Sequence, residues 1–273
     1  MRGWRRHRAA GAALSLTLIA LAACGSGPTG IHVAAAGYRA PVVRDGRLRV
    51  PILLYHHIGP VTGKWRSLYV SLPQFARQMK AIATSGAQTL SMDDLYDAVR
   101  NGRSYTSGAI ALTFDDATED QYTLAFPILK QYRLHATLFV PTGLVGRPGY
   151  VTWAQLSEMK RSGLLDVEAH SVSHVDLTQL TAHQVLRELR LSSSTLRRKI
   201  GVRARQFAYP FGKFDANLES LLRKAGYESA VTTRYQWSHP IRSPYEWGRM
   251  EVHDTNAPAN LASLATMSGS WQA

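Results

Sequence analysis

Short apolar segments alternate with longer amphipathic segments through most of the chain, from about residue 51 onward. Eight short segments are rich in apolar and β-branched residues, which predicts buried strands. They cover residues 51–55, 87–90, 109–114, 136–141, 164–169, 206–210, 229–233 and 249–253. Six longer, helix-like segments separate most of them, and these cover residues 72–84, 92–100, 119–132, 152–161, 181–200 and 215–225. The alternation predicts an α/β fold, a distorted (β/α)7-8 barrel of parallel strands with outer helices.

Local end signals support the predicted helices. Thr181 and Gln184 have the spacing of a capping box at the start of the longest helix. Glycine stands just past four helix ends, where a left-handed backbone favours it. These glycines are Gly86, Gly163, Gly201 and Gly226.

The first residues have the composition of an export signal. Four arginines precede an apolar run over residues 9–23, which is short for a membrane span and ends in small residues. Leu-Ala-Ala-Cys-Gly at positions 21–25 resembles a bacterial lipobox, in which the cysteine is lipidated and becomes the new N-terminus. We therefore predict a lipoprotein signal peptide over residues 1–23, a flexible tether over residues 24–49 and one domain over residues 50–273. An ordinary signal peptide is the alternative.

Cys24 is the only cysteine of the chain. Its lipidation would make the protein an exported, membrane-anchored lipoprotein of the bacterial cell envelope. A lone thiol cannot form an internal disulfide, so the predicted domain depends on its hydrophobic core.

The chain is strongly basic, with a formal net charge of +13, and subtracting the four signal arginines leaves +9. Such a charge favours acidic partners. An exported lipoprotein rarely meets nucleic acid, so we expect no nucleic-acid partner and favour anionic envelope polymers or lipid head groups. A solvated basic surface with no dedicated partner is the alternative.

Polar residues follow three of the predicted strands. Asp115 and Asp116 close one strand, and His170 and His174 follow another with the four-residue spacing that lets two imidazoles hold one ion. The third strand breaks at Tyr-Pro-Phe-Gly, positions 209–212, which leaves backbone N–H groups free to bind an oxyanion. Considered alone, Asp115 and Asp116 could instead cap the N-terminus of a helix. Considered alone, the third motif could be only a turn.

Together these motifs resemble the polysaccharide deacetylase family, carbohydrate esterase family four. The family motif Thr-Phe-Asp-Asp-Gly appears as Thr-Phe-Asp-Asp-Ala at 113–117, and His-Ser/Thr-x-x-His is complete at 170–174. The third motif, Arg-x-Pro-Tyr/Phe-Gly, lacks only its arginine at 208–212. The opening Pro-Ile-Leu-Leu-Tyr-His-His at 51–57 is also similar to exported members, so the resemblance extends from about residue 50 to residue 253.

The resemblance implies roles for the residues that match. Asp116, His170 and His174 would bind a divalent metal, most often zinc. Asp115 would be the general base that takes a proton from the attacking water, and a nearby dication would keep it ionised.

The third motif implies the substrate and oxyanion contacts, which are Tyr209, Pro210 and the backbone N–H of Phe211. Two positions depart from the family. Ala117 replaces a glycine, for which we expect a small backbone adjustment. Ala208 replaces the arginine that normally orients the base, which puts the tuning of Asp115 in doubt.

His253 is the best sequence candidate for the general acid, because the family often uses a histidine in its last motif. The alternative is that residues 249–252 form the aligned strand and leave His253 outside the site. For His56 and His57 we favour packing or hydrogen bonding over a role in the cleft. The remaining histidines considered have no motif context and are expected at the surface; these are His135, His183 and His239.

The resemblance implies a metal-dependent hydrolase that removes N-acetyl groups from an N-acetylglucosamine-containing envelope or extracellular polysaccharide. Two alternatives stay open, an O-acetyl esterase on a xylan-like glycan and a non-catalytic carbohydrate-binding lipoprotein. Retention of all four motif acids and histidines argues against the non-catalytic alternative. The sequence leaves the polymer, the native metal and the oligomeric state undefined.

Overall fold

The structure is a computed structural model that describes residues 40–41, 43–44, 46–102, 104–105 and 108–267. The predicted signal peptide, most of the tether and the lipidation site Cys24 lie outside these described residues. Within the described ranges, no helix combines the length and the apolar character that crossing a bilayer requires.

Eight parallel strands form the central sheet, and each matches one of the eight strands predicted from the sequence. They are β1 (Ile52–Tyr55), β2 (Gln88–Leu90), β3 (Ala109–Phe114), β4 (Ala136–Val140), β5 (Leu165–Ala169), β6 (Gln206–Ala208), β7 (Ser229–Val231) and β8 (Met250–Glu251). Two-residue strands pair outside this sheet: Ala40–Pro41 with Ser104–Tyr105, Arg47–Leu48 with both Val43–Arg44 and His239–Pro240, and His57–Ile58 with Tyr69–Val70.

The strand order is β7-β6-β5-β4-β3-β1-β8, with β2 on the first half of β3. The sheet is curled into a half-barrel, and Val231 of the edge strand β7 forms a bridge with Trp247, which precedes β8 on the other edge. This arrangement confirms the predicted α/β class of parallel strands with outer helices. Because all strands point the same way, their carboxyl ends lie on one side of the molecule.

Side-chain alternation along the strands separates two hydrophobic cores. In β3, Ile110 and Leu112 pack in the core that contains the outer helices, whereas Ala109 and Ala111 pack in the core inside the curled sheet. The inner core also contains Trp247 and the apolar residues of the second helix. Apolar side chains therefore fill the interior of the curled sheet near the first residues of β3. Polar side chains occupy the interior near the carboxyl end of that strand.

Seven α-helices are described: α1 (Leu72–Thr84), α2 (Met92–Asn101), α3 (Phe126–Tyr132), α4 (Trp153–Arg161), α5 (Ala182–Ile200), α6 (Ala216–Ala225) and α7 (Pro258–Met267). The Thr181–Gln184 capping box of α5 is present, and the glycines predicted at helix ends all have positive φ. Three-residue 3₁₀ helices cover Arg66–Leu68, Leu177–Gln179 and Pro210–Gly212.

Three details differ from the sequence predictions. The predicted helix over residues 119–132 starts with a π-helical stretch, Gln121–Ala125, before α3 begins. Helix α7 was not predicted, because its small and apolar residues lack a clear polar face. His239 was expected at the surface but is fully buried, since its short strand pairs with Arg47–Leu48. His135 and His183 are exposed, as predicted.

Candidate active site

The motif residues meet at the carboxyl edge of the sheet. Asp115 and Asp116 follow β3, His170 follows β5, and Tyr209 follows β6. Parallel strand ends converge at such an edge, so residues far apart in sequence become neighbours. A cleft of about 510 Å³ opens there and is lined by all of these residues.

Asp116, His170 and His174 form a cluster suited to one metal ion. One ligand atom from each of the three residues lies within 4.8 Å of the others. The Asp116 Oδ1 atom is 3.6 Å from His170 Nε2 and 3.2 Å from His174 Nε2. One carboxylate and two imidazoles leave positions open for water and substrate, as in catalytic metal sites.

A backbone hydrogen bond prepares His170 for a metal. Its Nδ1 atom lies 2.7 Å from the Ala208 carbonyl oxygen, which can only accept a hydrogen bond. Nδ1 therefore donates a proton to this carbonyl, which leaves Nε2 as the ring nitrogen that faces Asp116 and that a metal ion would bind. Metal-binding histidines are typically oriented by such a contact from the second nitrogen.

Asp115 is held by a buried arginine. The Arg249 guanidinium donates from Nη1 to Oδ1 at 2.7 Å and from Nη2 to Oδ2 at 2.6 Å, and neither residue is more than 2% exposed. Arg249 is itself fixed by Nε, which donates to the Thr232 carbonyl, and by a contact with Thr113. This bidentate pair orients the carboxylate that the sequence left without an arginine at position 208.

The electrostatics keep both acids ionised. Burial alone would raise the pKa of Asp115, but the positive charge of Arg249 outweighs it and lowers the pKa. The pKa of Asp116 is also lowered, because the hydrogen bond and charge of His170 outweigh its burial. Burial and the neighbouring His170 charge lower the pKa of His174, which favours the neutral form that binds metals.

Backbone strain concentrates at this site. Among the described residues, six that are not glycine have positive φ, and five of them belong to the three motifs. These five are Asp116, Ala117, Ser171, His174 and Phe211. A left-handed backbone costs about 1–2 kcal/mol per residue, so surrounding contacts must enforce it. Ala117 has φ 53°, which explains why a glycine suits this position in the family motif.

The third motif forms one wall of the cleft. Phe211 is 57% exposed and its ring lies 4.9 Å from the His174 ring. No partner for the Phe211 backbone N–H appears among the hydrogen bonds of the described residues, so the donor is available. Tyr209 lines the cleft while its hydroxyl donates to the Tyr245 carbonyl, and Pro210 is buried and does not line the cleft.

The candidate acid His253 lies outside the cleft, which agrees with the alternative that the sequence left open. His253 is not among the residues that line the cleft, and its Nδ1 atom faces the Ser67 carbonyl oxygen at 2.9 Å. The strand β8 ends at Glu251, so His253 follows it by two residues. His56, for which packing was favoured, lines the cleft instead, with Nδ1 3.6 Å from the Glu251 carboxylate. His57 also lines it and bonds Asp120.

Sequence reasoning did not identify Arg249 as the partner of Asp115. Its only sequence signal was a charged residue at the start of an apolar strand. The partner lies 134 positions away, so no local pattern could connect the two.

The curled parallel sheet carries at its carboxyl edge an aspartate–histidine–histidine cluster of the kind that can hold a catalytic metal ion. A family model described as polysaccharide deacetylase matches residues 102–230. The chain therefore carries a domain of the polysaccharide deacetylase family, which confirms the family and the class of hydrolase inferred from the motifs.

Individual relatives agree with this assignment. The YxkH protein of Bacillus subtilis is 29% identical over 217 residues, which cover 80% of this chain and 74% of that protein. A poly-β-1,6-N-acetyl-D-glucosamine N-deacetylase of Staphylococcus aureus is 25% identical over 198 residues, or 68% of each chain. The structure of Streptococcus pyogenes deacetylase PplD in complex with acetate has a TM-score of 0.74 at 28% identity, covering 80% of this chain and 98% of that one.

Proposed function

We propose that the protein removes N-acetyl groups from an N-acetylglucosamine-containing envelope or extracellular polysaccharide. The observation that carries the proposal is the metal-suited cluster of Asp116, His170 and His174 beside the arginine-held carboxylate of Asp115. The similarity to the Staphylococcus aureus enzyme supports an amide substrate of this kind.

Each side chain then has a defined part in the hydrolysis. Asp116, His170 and His174 would hold a divalent cation, for which we propose zinc because imidazole and carboxylate ligands suit it. That cation would polarise the acetyl carbonyl and lower the pKa of the attacking water. Asp115, ionised beside Arg249, would accept the proton of that water. The Phe211 N–H would stabilise the oxyanion.

For the proton donor we propose His56 in place of His253. His56 lines the cleft, and the Glu251 carboxylate beside Nδ1 favours the charged imidazole. Burial lowers the pKa of His56 in spite of the nearby carboxylates, which makes the imidazolium a stronger acid towards the leaving nitrogen. His56→Ala should reduce kcat strongly and His253→Ala should not; the reverse result would restore His253 to the role.

We also propose that Cys24 carries a lipid and that the enzyme acts from the envelope membrane. The lipobox-like sequence at positions 21–25 supports this location. Mass spectrometry of the mature N-terminus would test it, because an unmodified cleavage product would contradict lipidation.

Acetate release tests the proposed function directly. Protein stripped by a chelator and reloaded with Zn²⁺ should release acetate from N-acetylglucosamine oligomers, whereas the stripped protein should not. An O-acetylated xylo-oligosaccharide assayed in parallel separates the esterase alternative. Acetate from neither substrate with any divalent metal would contradict both enzymatic functions and leave the carbohydrate-binding alternative.

A further inference from the structure

The cleft contains an exposed tryptophan that the hydrolytic chemistry does not use. Trp65 lines the cleft, yet 62% of its surface is exposed. We propose that Trp65 is a stacking platform for a second sugar ring, so that the cleft binds a glycan chain and not a single acetylated sugar. The proposal rests on the proposed function, because it takes the ligand to be a polysaccharide.

The chemistry of an exposed indole favours a sugar partner. A large aromatic side chain in a concave, partly polar site is usually a contact for a ligand. A pyranose ring offers an apolar C–H face to the indole and hydroxyl groups to the polar residues around it. The Lys64 ammonium lies over the Trp65 ring, 5.1 Å from its centre, in the range of a cation–π contact.

The segment that carries Trp65 is held in place by several contacts. The Trp65 carbonyl accepts a hydrogen bond from the Leu68 N–H at 2.9 Å. The Ser67 carbonyl faces His253 Nδ1 at 2.9 Å, which gives that histidine a positioning part. Tyr69 stacks on His57 with ring centres 4.4 Å apart and planes at 11°. Because this segment is already ordered, binding of a sugar to Trp65 costs little conformational entropy of the segment.

The position of Trp65 fits a glycan that passes across the metal-suited cluster. Trp65 belongs to the connection after β1, whereas Phe211 follows β6. In the sheet order, the strands that supply Asp116 and His170 lie between β1 and β6. The two exposed aromatic residues of the cleft therefore come from opposite sides of the cluster. One sugar can be deacetylated at the centre while its neighbour rests on Trp65.

The test uses the metal-loaded full chain with Trp65→Ala, Trp65→Phe and the control Tyr235→Ala. Tyr235 is a more exposed aromatic residue, at 73%, and it does not line the cleft. KM and kcat are measured on N-acetylglucosamine oligomers and on a small aryl acetate, which has no second sugar ring to stack on Trp65. Binding of the same oligomers to Asp115→Asn proteins, with and without Trp65→Ala, is measured by calorimetry.

We expect Trp65→Ala to raise the oligomer KM and dissociation constant about 3- to 10-fold. Turnover of the aryl acetate should stay unchanged, Trp65→Phe should keep most of the affinity, and Tyr235→Ala should behave as the wild type. Unchanged oligomer affinity in Trp65→Ala would overturn the platform, as would an equal loss on the aryl acetate, which indicates a structural role.

Calorimetry separates this inference from the proposed function. If the wild type releases no acetate, the proposed function fails, but oligomer binding that depends on Trp65 still supports the platform. If no oligomer binds to either Asp115→Asn protein, the platform is overturned whatever the turnover.

Discussion

Two buried carboxylates inside the curled sheet have opposite surroundings. Asp115 is 2% exposed and receives two hydrogen bonds from the Arg249 guanidinium. Glu168 is 1% exposed and accepts hydrogen bonds from the backbone N–H groups of Arg205 and Gln206, with the carboxylate of Asp93 nearby. Both are out of water, so the partner decides the charge.

The consequence appears in their ionisation. Arg249 lowers the pKa of Asp115 in spite of burial, whereas burial and the negative charge of Asp93 raise the pKa of Glu168 well above its usual value. Burial by itself therefore does not mark a catalytic acid or base. A bidentate cation beside the cleft distinguishes the proposed base from a carboxyl group that only joins two strands.

The largest effect is expected from Asp115→Asn. The amide cannot accept the proton of water, so kcat should fall by about 10²–10⁴-fold while the metal content stays unchanged. Glu168→Gln is the matched control, since it makes the same carboxylate-to-amide change at a buried position that does not line the cleft. Kinetics together with elemental analysis check both, and equal losses of turnover would remove the distinction between the two carboxylates.

Arg249→Met should have the next largest effect. Without the guanidinium, the pKa of Asp115 rises, so the acid limb of the pH–rate profile should move to higher pH and activity should fall about 10–100-fold. Arg249→Lys keeps a positive charge but cannot form the paired hydrogen bonds, so its activity should lie between those of the wild type and Arg249→Met. A lower kcat with an unshifted pH profile would show that Arg249 only supports the fold.

Glu168→Gln should alter the pH dependence of stability more than activity. An unfolded glutamate loses its proton near pH 4.3, but folded Glu168 keeps its proton to a higher pH. The folded state then binds more protons, so the free energy of unfolding contributed by Glu168 falls as pH rises through this window. Urea unfolding at several pH values should show a shallower fall in Glu168→Gln; an unchanged slope would contradict the raised pKa.

Asp93→Asn should give the smallest change. Removing this neighbouring negative charge lowers the pKa of Glu168 towards its usual value. The pH range over which Glu168 reduces the free energy of unfolding then becomes narrower. The amide oxygen can still accept the hydrogen bond from Gln206 Nε2, so the expected stability change is below about 1 kcal/mol. Urea unfolding at the same pH values measures this change. If the pH range over which stability falls became wider, Asp93 would not be the charge that raises the pKa of Glu168.

Much of the fold was predictable because its signals are local. The strand β3 and the helix α1 match their predicted bounds, since a run of apolar residues or a helical spacing needs no distant partner. The capping box at Thr181 likewise acts over three residues. Helix α7 was missed because a weakly amphipathic segment gains its stability from packing against α1, which the sequence does not display.

The amino-acid sequence by itself determined which segments become strands and helices, and which acids and histidines follow the strand ends. Tertiary structure alone decided that Arg249 pairs with Asp115, that His239 is buried, and that His56 reaches the cleft while His253 supports a wall. The physical reason is distance along the chain. Periodicity and capping act within a few residues, whereas the charge and orientation of a side chain depend on partners that only the curled sheet brings together.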